Sequence, residues 1–219
     1  MNFSKRVLAL IILDILTFIL MVLGILFSVF DVRFMVDYPR LSTLPIYWTF
    51  TGLSNIFIGL VSLGCAIYRL VRKESSLSKP LFLIKVIAVA EITITFVITA
   101  CVLAPRLGSS WWRLYINNNL INHFLTPLLA IFTYLFLEEK VEIENRLCFF
   151  AVVPMLAYCV FYGLNVYTRL GADGSIDPKY DIYGLAKFGP FFSALFLISF
   201  VGLSIGFTML YRLQNDKKK

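Results

Sequence analysis

Residues 7–30 read Val7-Leu8-Ala9-Leu10-Ile11-Ile12-Leu13-Asp14-Ile15-Leu16-Thr17-Phe18-Ile19-Leu20-Met21-Val22-Leu23-Gly24-Ile25-Leu26-Phe27-Ser28-Val29-Phe30, with Asp14 as the one charge. A helix crossing about 30 Å of hydrocarbon needs about 20 mostly apolar residues. This stretch meets that length, and five more follow it: Tyr47–Leu70, Leu81–Ala104, Asn119–Leu137, Leu147–Val166 and Tyr183–Tyr211. The last is long and is expected to begin at the interface. The expected fold is therefore all-α: a polytopic integral membrane protein, a six-transmembrane-helix bundle. No repeat, low-complexity tract or composition shift divides the chain, so residues 1–219 are expected to form a single domain.

Composition agrees. The chain is 59% hydrophobic and 15% charged, with a mean hydropathy of +0.83. Soluble domains are nearer 45–50% apolar and about 25% charged. That disfavours a soluble enzyme, a disordered chain, a solenoid and a nucleic-acid binder together. The net charge of +7 has a topological explanation, because the basic residues sit mostly in short segments between apolar runs. Cys65, Cys101, Cys148 and Cys159 form no CxxC and no metal-spaced cluster, so they read as small apolar residues, and no metal or cofactor is expected.

Lys5 and Arg6 precede the first run as they do in a signal peptide. The run exceeds the usual 7–15 apolar residues and no small-x-small site follows, so it reads as a spanning helix. The Asn2-Phe3-Ser4 sequon lies too near the terminus to matter. The ending Asp216-Lys217-Lys218-Lys219 lacks the spacing of a dilysine retrieval signal. The N-terminus, the second and fourth connections and the C-terminus carry twelve Lys and Arg; the opposite side carries seven, and Lys85 lies inside a span. The positive-inside rule then places both termini in the cytoplasm, and Glu138, Glu139, Glu142 and Glu144 count little against it. Trp48, Trp111, Trp112, Tyr47 and Tyr183 are expected in an outer aromatic belt, and Tyr68, Tyr134 and Tyr211 at the inner face. The compact, Phe- and Leu-rich chain suits a bacterial cytoplasmic membrane.

Ionisable groups at membrane depth are costly and mark function by default. Four are expected there: Asp14, Lys85, Glu91 and His123. Asp14 and Lys85 fall at the inner leaflet, where they read as an intramembrane ion pair or as the start of a relay through Glu91. His123 is the one histidine, within Asn117-Asn118-Asn119-Leu120-Ile121-Asn122-His123-Phe124-Leu125-Thr126-Pro127. Pro127 lacks an N–H and clashes with the carbonyl four residues earlier, so a kink and a freed His123 carbonyl are expected. Asn122 flanks the break.

The second span opens Tyr47-Trp48-Thr49-Phe50-Thr51-Gly52-Leu53-Ser54-Asn55. Thr51 and Asn55 are four apart and share a face. Thr51 lies four residues past Tyr47 and His123 four past Asn119, which predicts a similar depth of roughly 6 Å at the outer end. A threonine hydroxyl and a histidine at one depth are the parts of an alcohol nucleophile and its base, provided they come within about 2.6–3.2 Å. The plain alternative is a threonine bonded back to its own helix. Asn55 or Asn122 would donate to the oxyanion, and Asp181 or Glu91 would orient the histidine. Gly202-Leu203-Ser204-Ile205-Gly206 is a small-xxx-small face that fits packing within the bundle or between bundles equally.

The stretches Trp48–Asn55, Asn122–Pro127 and Asp181-Ile182-Tyr183-Gly184 resemble those of a family of six-span membrane proteins. It comprises the androgen-induced-gene proteins, the androgen-dependent regulator of tissue factor pathway inhibitor and bacterial relatives, and the bacterial branch is the more similar. The animal members hydrolyse fatty acid esters of hydroxy fatty acids with an intramembrane threonine and a histidine. The resemblance implies a hydrolase role for Thr51, with Thr49 as second choice, and for His123. Ser54-Asn55 departs from the animal pattern. The expected function is thus a lipid-ester hydrolase whose partners are a fatty-acid ester and the bilayer. The alternative is a transporter, channel or lipid-binding scaffold with Asp14, Lys85, Glu91 and His123 along a polar path. An acyltransferase with the same pair differs only in its acceptor.

Overall fold

The computed structural model describes residues 4–35, 46–169, 175–177, 179–181, 183–185 and 188–216. Asn2, Phe3, Arg40, Ile182, Lys187, Lys217, Lys218 and Lys219, which enter the sequence arguments above, lie outside the described residues. The described residues form six helical spans long and apolar enough to cross a membrane: α1 (Lys5–Val29), α2 (Phe50–Arg72), α3 (Lys79–Tyr115), α4 (Asn118–Leu137), α5 (Asn145–Thr168) and α6 (Gly189–Asp216).

Local chemistry sets several boundaries. The Ser4 side chain caps α1 by accepting from the Val7 N–H, and Thr49 caps α2 by accepting from Gly52. Such caps stabilise a helix by about 1 kcal/mol each. Lys73 ends α2 in the left-handed conformation, and its N–H returns to the Arg69 carbonyl. The helix of the sixth span begins at Gly189, with φ +81°, and not at Tyr183. Hydropathy ran the span back to Tyr183, but Gly184 and Gly189 both take positive φ and break the chain before Pro190.

The bundle has an apolar interior that also holds polar groups, and its outer surface is apolar too. Along α1 the outward stripe is Leu8, Ile12, Leu16 and Ile19, whereas Asp14 and Thr17 face inward. Along α6 Phe191, Leu195, Ile198 and Leu203 face outward, and Ser193, Ser204 and Thr208 are buried. An exposed apolar surface this continuous is out of place in water. Helix α3 is the central element: residues 85–95 are buried without interruption, and it contacts α2, α4, α5 and α6. Gly59 of α2 lets α1 approach closely, since a Cβ there would sit 2.6 Å from Met21 Cβ.

Helices α3 and α4 are irregular at corresponding places. The turn Thr99–Leu103 is a π turn two residues before Pro105, and Ile121–Leu125 is one two residues before Pro127. The widened turn separates the proline ring from the preceding carbonyls, which relieves the clash an α turn would impose.

The contacts sort the connections between two ends. At one end Arg6 donates to the Leu137 carbonyl at 3.0 and 3.1 Å, Arg69 to Ser75 at 3.2 Å and Arg212 to Ile143 at 3.2 Å. At the other end the Phe50 N–H donates to the Tyr183 hydroxyl at 3.1 Å, and Asn118 to Ser28 at 2.8 Å. The aromatic expectation changes here. Tyr134 and Tyr211 are core residues: Tyr134 donates to the Tyr211 carbonyl at 3.0 Å, and the Tyr211 hydroxyl bonds Thr93 at 2.7 Å. Trp48 lies under the Arg169 guanidinium at 4.7 Å, and Trp111 is exposed. Gly202 and Gly206 are exposed, and a Cβ added at either would meet no atom of another element among the described residues, so their small face does not pack inside the bundle.

Candidate functional site

Asp14 and Lys85 are paired at 2.8 Å, but within a larger cluster. Lys85 also reaches Glu138 at 2.5 Å, and Arg69 contacts both Asp14 and Glu138. The four side chains form an alternating square of two cations and two anions, each at most 2% exposed. Arg69 and Glu138 stand at the ends of their expected spans, where the charge count places them with the connections; both are instead buried members of this square. Eleven basic residues then remain on that side against seven, so the charge asymmetry survives.

Glu91 is also buried, and it accepts from Ser204. It is six residues from Lys85, which turns it about 240° round the helix at 100° per residue. The two therefore face different neighbours. Among the described residues no hydrogen bond or ion pair joins the square, Glu91 and His123, so the three are separate polar sites.

The constellation at the end marked by the Phe50–Tyr183 contact is built around the α4 irregularity. Asn117 takes φ +53° and accepts the Met35 N–H at 2.8 Å; Asn119 donates to the Arg113 carbonyl at 3.0 Å. These bonds fix the entry to α4. In the π register the Thr126 N–H reaches back five residues to Ile121. The next N–H would aim at Asn122, but residue 127 is proline. The donor is supplied from another helix: Asn55 Nδ2 donates to the Asn122 carbonyl at 2.9 Å. The observed acceptor is thus the Asn122 carbonyl, one residue before the His123 carbonyl expected from an α turn.

Asn55 Nδ2 also donates to the Thr51 carbonyl at 2.7 Å. The Thr51 and Asn122 carbonyl oxygens are therefore separated by no more than these two bonds end to end. This bridge, and not equal helix starts, brings Thr51 beside the His123 segment, because α2 begins at Phe50 and places Thr51 in its first turn. Both Asn55 N–H groups are committed, so Asn55 has none left for an oxyanion, contrary to the expectation from sequence. Asn122 Nδ2 makes no hydrogen bond and is the remaining amide donor, while Asn122 Oδ1 is unpartnered and packs against Gly24.

His123 is 8% exposed, and its Nδ1 lies 3.0 Å from the Leu114 carbonyl. A carbonyl only accepts, so Nδ1 carries the proton and Nε2 keeps a lone pair. The group that orients His123 is this carbonyl. Asp181 instead accepts from Tyr162 at 2.5 Å and from the Leu185 N–H at 2.9 Å, and Glu91 serves Ser204. Sequence had no means to find the Leu114 carbonyl, since every residue carries one. Thr51 and His123 are not hydrogen-bonded to each other; among the described residues the Thr51 hydroxyl has no hydrogen-bond partner, and it is not bonded back to its own helix.

Comparison with protein families, with curated proteins and with solved structures finds no match to this chain.

Proposed function

We propose that the chain is an intramembrane hydrolase of lipid carboxylic esters, with Thr51 as nucleophile and His123 as base. The observation that carries this reading is the 3.0 Å contact between His123 Nδ1 and the Leu114 carbonyl. The Nδ1 proton is held by the Leu114 carbonyl, which leaves Nε2 to accept a proton at a segment tied by Asn55 to Thr51. The likeness of the motifs around Thr51 and His123 to the threonine–histidine hydrolase family supports the same assignment, and it points to fatty acid esters of hydroxy fatty acids as substrate class.

Thr51 Oγ1 attacks the ester carbonyl carbon while His123 Nε2 takes its proton. The C–O bond to the alcohol breaks, and the alcohol leaves with that proton. Water then attacks the acyl-threonine with His123 again as base, which releases the fatty acid and restores the hydroxyl. Asn122 Nδ2 is the candidate oxyanion donor, an interaction worth about 2.7–4 kcal/mol where single donors have been removed. The Thr51–His123 bond closes in the substrate complex, as catalytic hydrogen bonds commonly do.

The six apolar helices cross the bilayer of a bacterial cytoplasmic membrane in this reading, with both termini cytoplasmic. Its support is the basic excess at the end where Arg6, Arg69 and Arg212 make their contacts. A transport path is less well supported, because the buried charges lie in separate sites. The test is labelling of purified protein by a fluorophosphonate, wild type beside Thr51→Ala and His123→Ala. Labelling that disappears in both variants supports the dyad; labelling that survives in Thr51→Ala overturns it.

A further inference from the structure

Glu91 takes no part in the chemistry above, yet one of its oxygens points to a use. A cavity of about 270 Å³ lies between α2, α3 and α5, lined by Phe50, Ser54, Phe57, Glu91, Tyr158 and Phe161 among others. Two hydroxyls of its lining residues are bonded elsewhere. Ser54 Oγ bonds Thr95 at 2.7 Å, and the Tyr158 hydroxyl donates to Tyr183 at 3.1 Å. Glu91 Oε1 accepts from Ser204. Glu91 Oε2 is buried and has no hydrogen-bond partner among the described residues, on a residue that is 2% exposed. An isolated buried carboxylate costs far more than one paired with a cation. The buried cations among the described residues, Arg69 and Lys85, are spent on Asp14 and Glu138.

We propose that this cavity binds the ammonium head of a lipophilic amine, with Glu91 Oε2 as its anion and the surrounding aromatic rings as its walls. Three features set that chemistry. The unpartnered oxygen asks for a donor. Phe50, Phe57, Tyr158 and Phe161 line the cavity, and aromatic rings attract a desolvated cation within about 6 Å of the ring centre. The volume falls just under the roughly 300 Å³ at which pockets for drug-sized ligands begin, so a head group fits and a tail must lie elsewhere. Ala157 lines the same cavity and is exposed on the outer face of α5. The tail therefore leaves between α2 and α5, into the hydrocarbon if the helices span a bilayer. Neither Thr51 nor His123 lines this cavity, so the inference stands or falls independently of the hydrolase reading.

The test uses the full chain in lipid nanodiscs and follows thermal unfolding with octylammonium chloride or octanol added. Octylammonium is expected to raise the wild-type Tm by about 5 °C or more at about a hundredfold excess over its Kd. Octanol, with the same tail and no charge, is expected to leave Tm within about 1 °C. Glu91→Gln is expected to abolish the octylammonium shift. Ala157→Trp, which fills the exit and leaves Glu91 intact, is expected to abolish it as well and serves alone if Glu91→Gln does not fold. No shift of the wild type, an equal shift with octanol, or a shift retained in the folded variants overturns the proposal.

Discussion

Replacing Arg69 by Met tests whether the charged square is one unit. Arg69 is fully buried and touches Asp14 and Glu138, while Lys85 touches the same two carboxylates. The square is neutral as it stands. Removing either cation leaves one net negative charge where water does not reach. Breaking a buried pair in this way costs about 3–5 kcal/mol. For a chain of 150–250 residues each kcal/mol moves Tm by about 2–4 °C, so Arg69→Met is expected to lower it by about 6–20 °C. Lys85→Met is expected to fall in the same range. The informative variant is the double substitution Asp14→Asn with Lys85→Met, which removes one charge of each sign and leaves Arg69 paired with Glu138. Its loss should be smaller than the sum of the losses of Asp14→Asn alone and Lys85→Met alone, by a coupling of about 1–3 kcal/mol. The assay is thermal unfolding in nanodiscs at low and high salt, and the losses should differ little between them because the charges are buried. An Arg69→Met protein that melts within about 0.5 kcal/mol of wild type, as an exposed residue in a connection would, refutes the unit. So does a double variant whose loss equals the sum.

Three further outcomes follow from particular contacts. A Cβ at Gly24 would sit 2.2 Å from Asn122 Oδ1, so Gly24→Ala is expected to cost about 1–3 kcal/mol and to reduce activity by shifting Asn122, read by melting and by fluorophosphonate labelling. Asn55→Ala removes the donor to the Asn122 carbonyl and is expected to cost about 1–3 kcal/mol; in a Pro127→Ala background, where the helix regains an N–H, the same change should cost less. Burial raises the Tyr183 phenol above its ordinary value of 10.0, so the folded state keeps a proton that the unfolded chain releases. Stability should therefore fall as pH climbs past about 10, and the Tyr183→Phe protein should lose that part of the alkaline decline in a pH-dependent melting series.

The six helices were legible because hydropathy over about 20 residues is a strong signal, and the ends moved where a cap or a glycine overrode it. The inward position of Arg69 was also within reach. Asn55, Ser62 and Arg69 are seven residues apart in turn, and all three are buried on one stripe of α2. Counting Arg69 with the connection that follows hid it. Glu138 was less accessible. The π turn Thr133–Leu137 precedes it, and each π turn adds a residue to the register, so a 3.6-residue period run along α4 misplaces its end. Tyr134 and Tyr211 looked like interface anchors by type. Their burial depends on internal partners for both hydroxyls, supplied by Tyr211 and Thr93, and those are tertiary facts.

The same distinction explains the form of the candidate site. Pro127 was visible as a break, and Asn55 and Asn122 as polar residues at a plausible depth. Their division of labour was not visible, because it follows from how one missing N–H is made good. Inside a packed bundle a carbonyl without a donor must be satisfied by protein, since burial keeps water away. Asn55 meets that need with one N–H and holds the Thr51 carbonyl with the other, so it is a structural residue of the site. Asn122 spends its backbone carbonyl on the bridge and keeps its side-chain donor free. The break that costs α4 a hydrogen bond therefore brings Thr51, His123 and an unused amide donor to the junction of two helices, which a regular helix at this position would not have required.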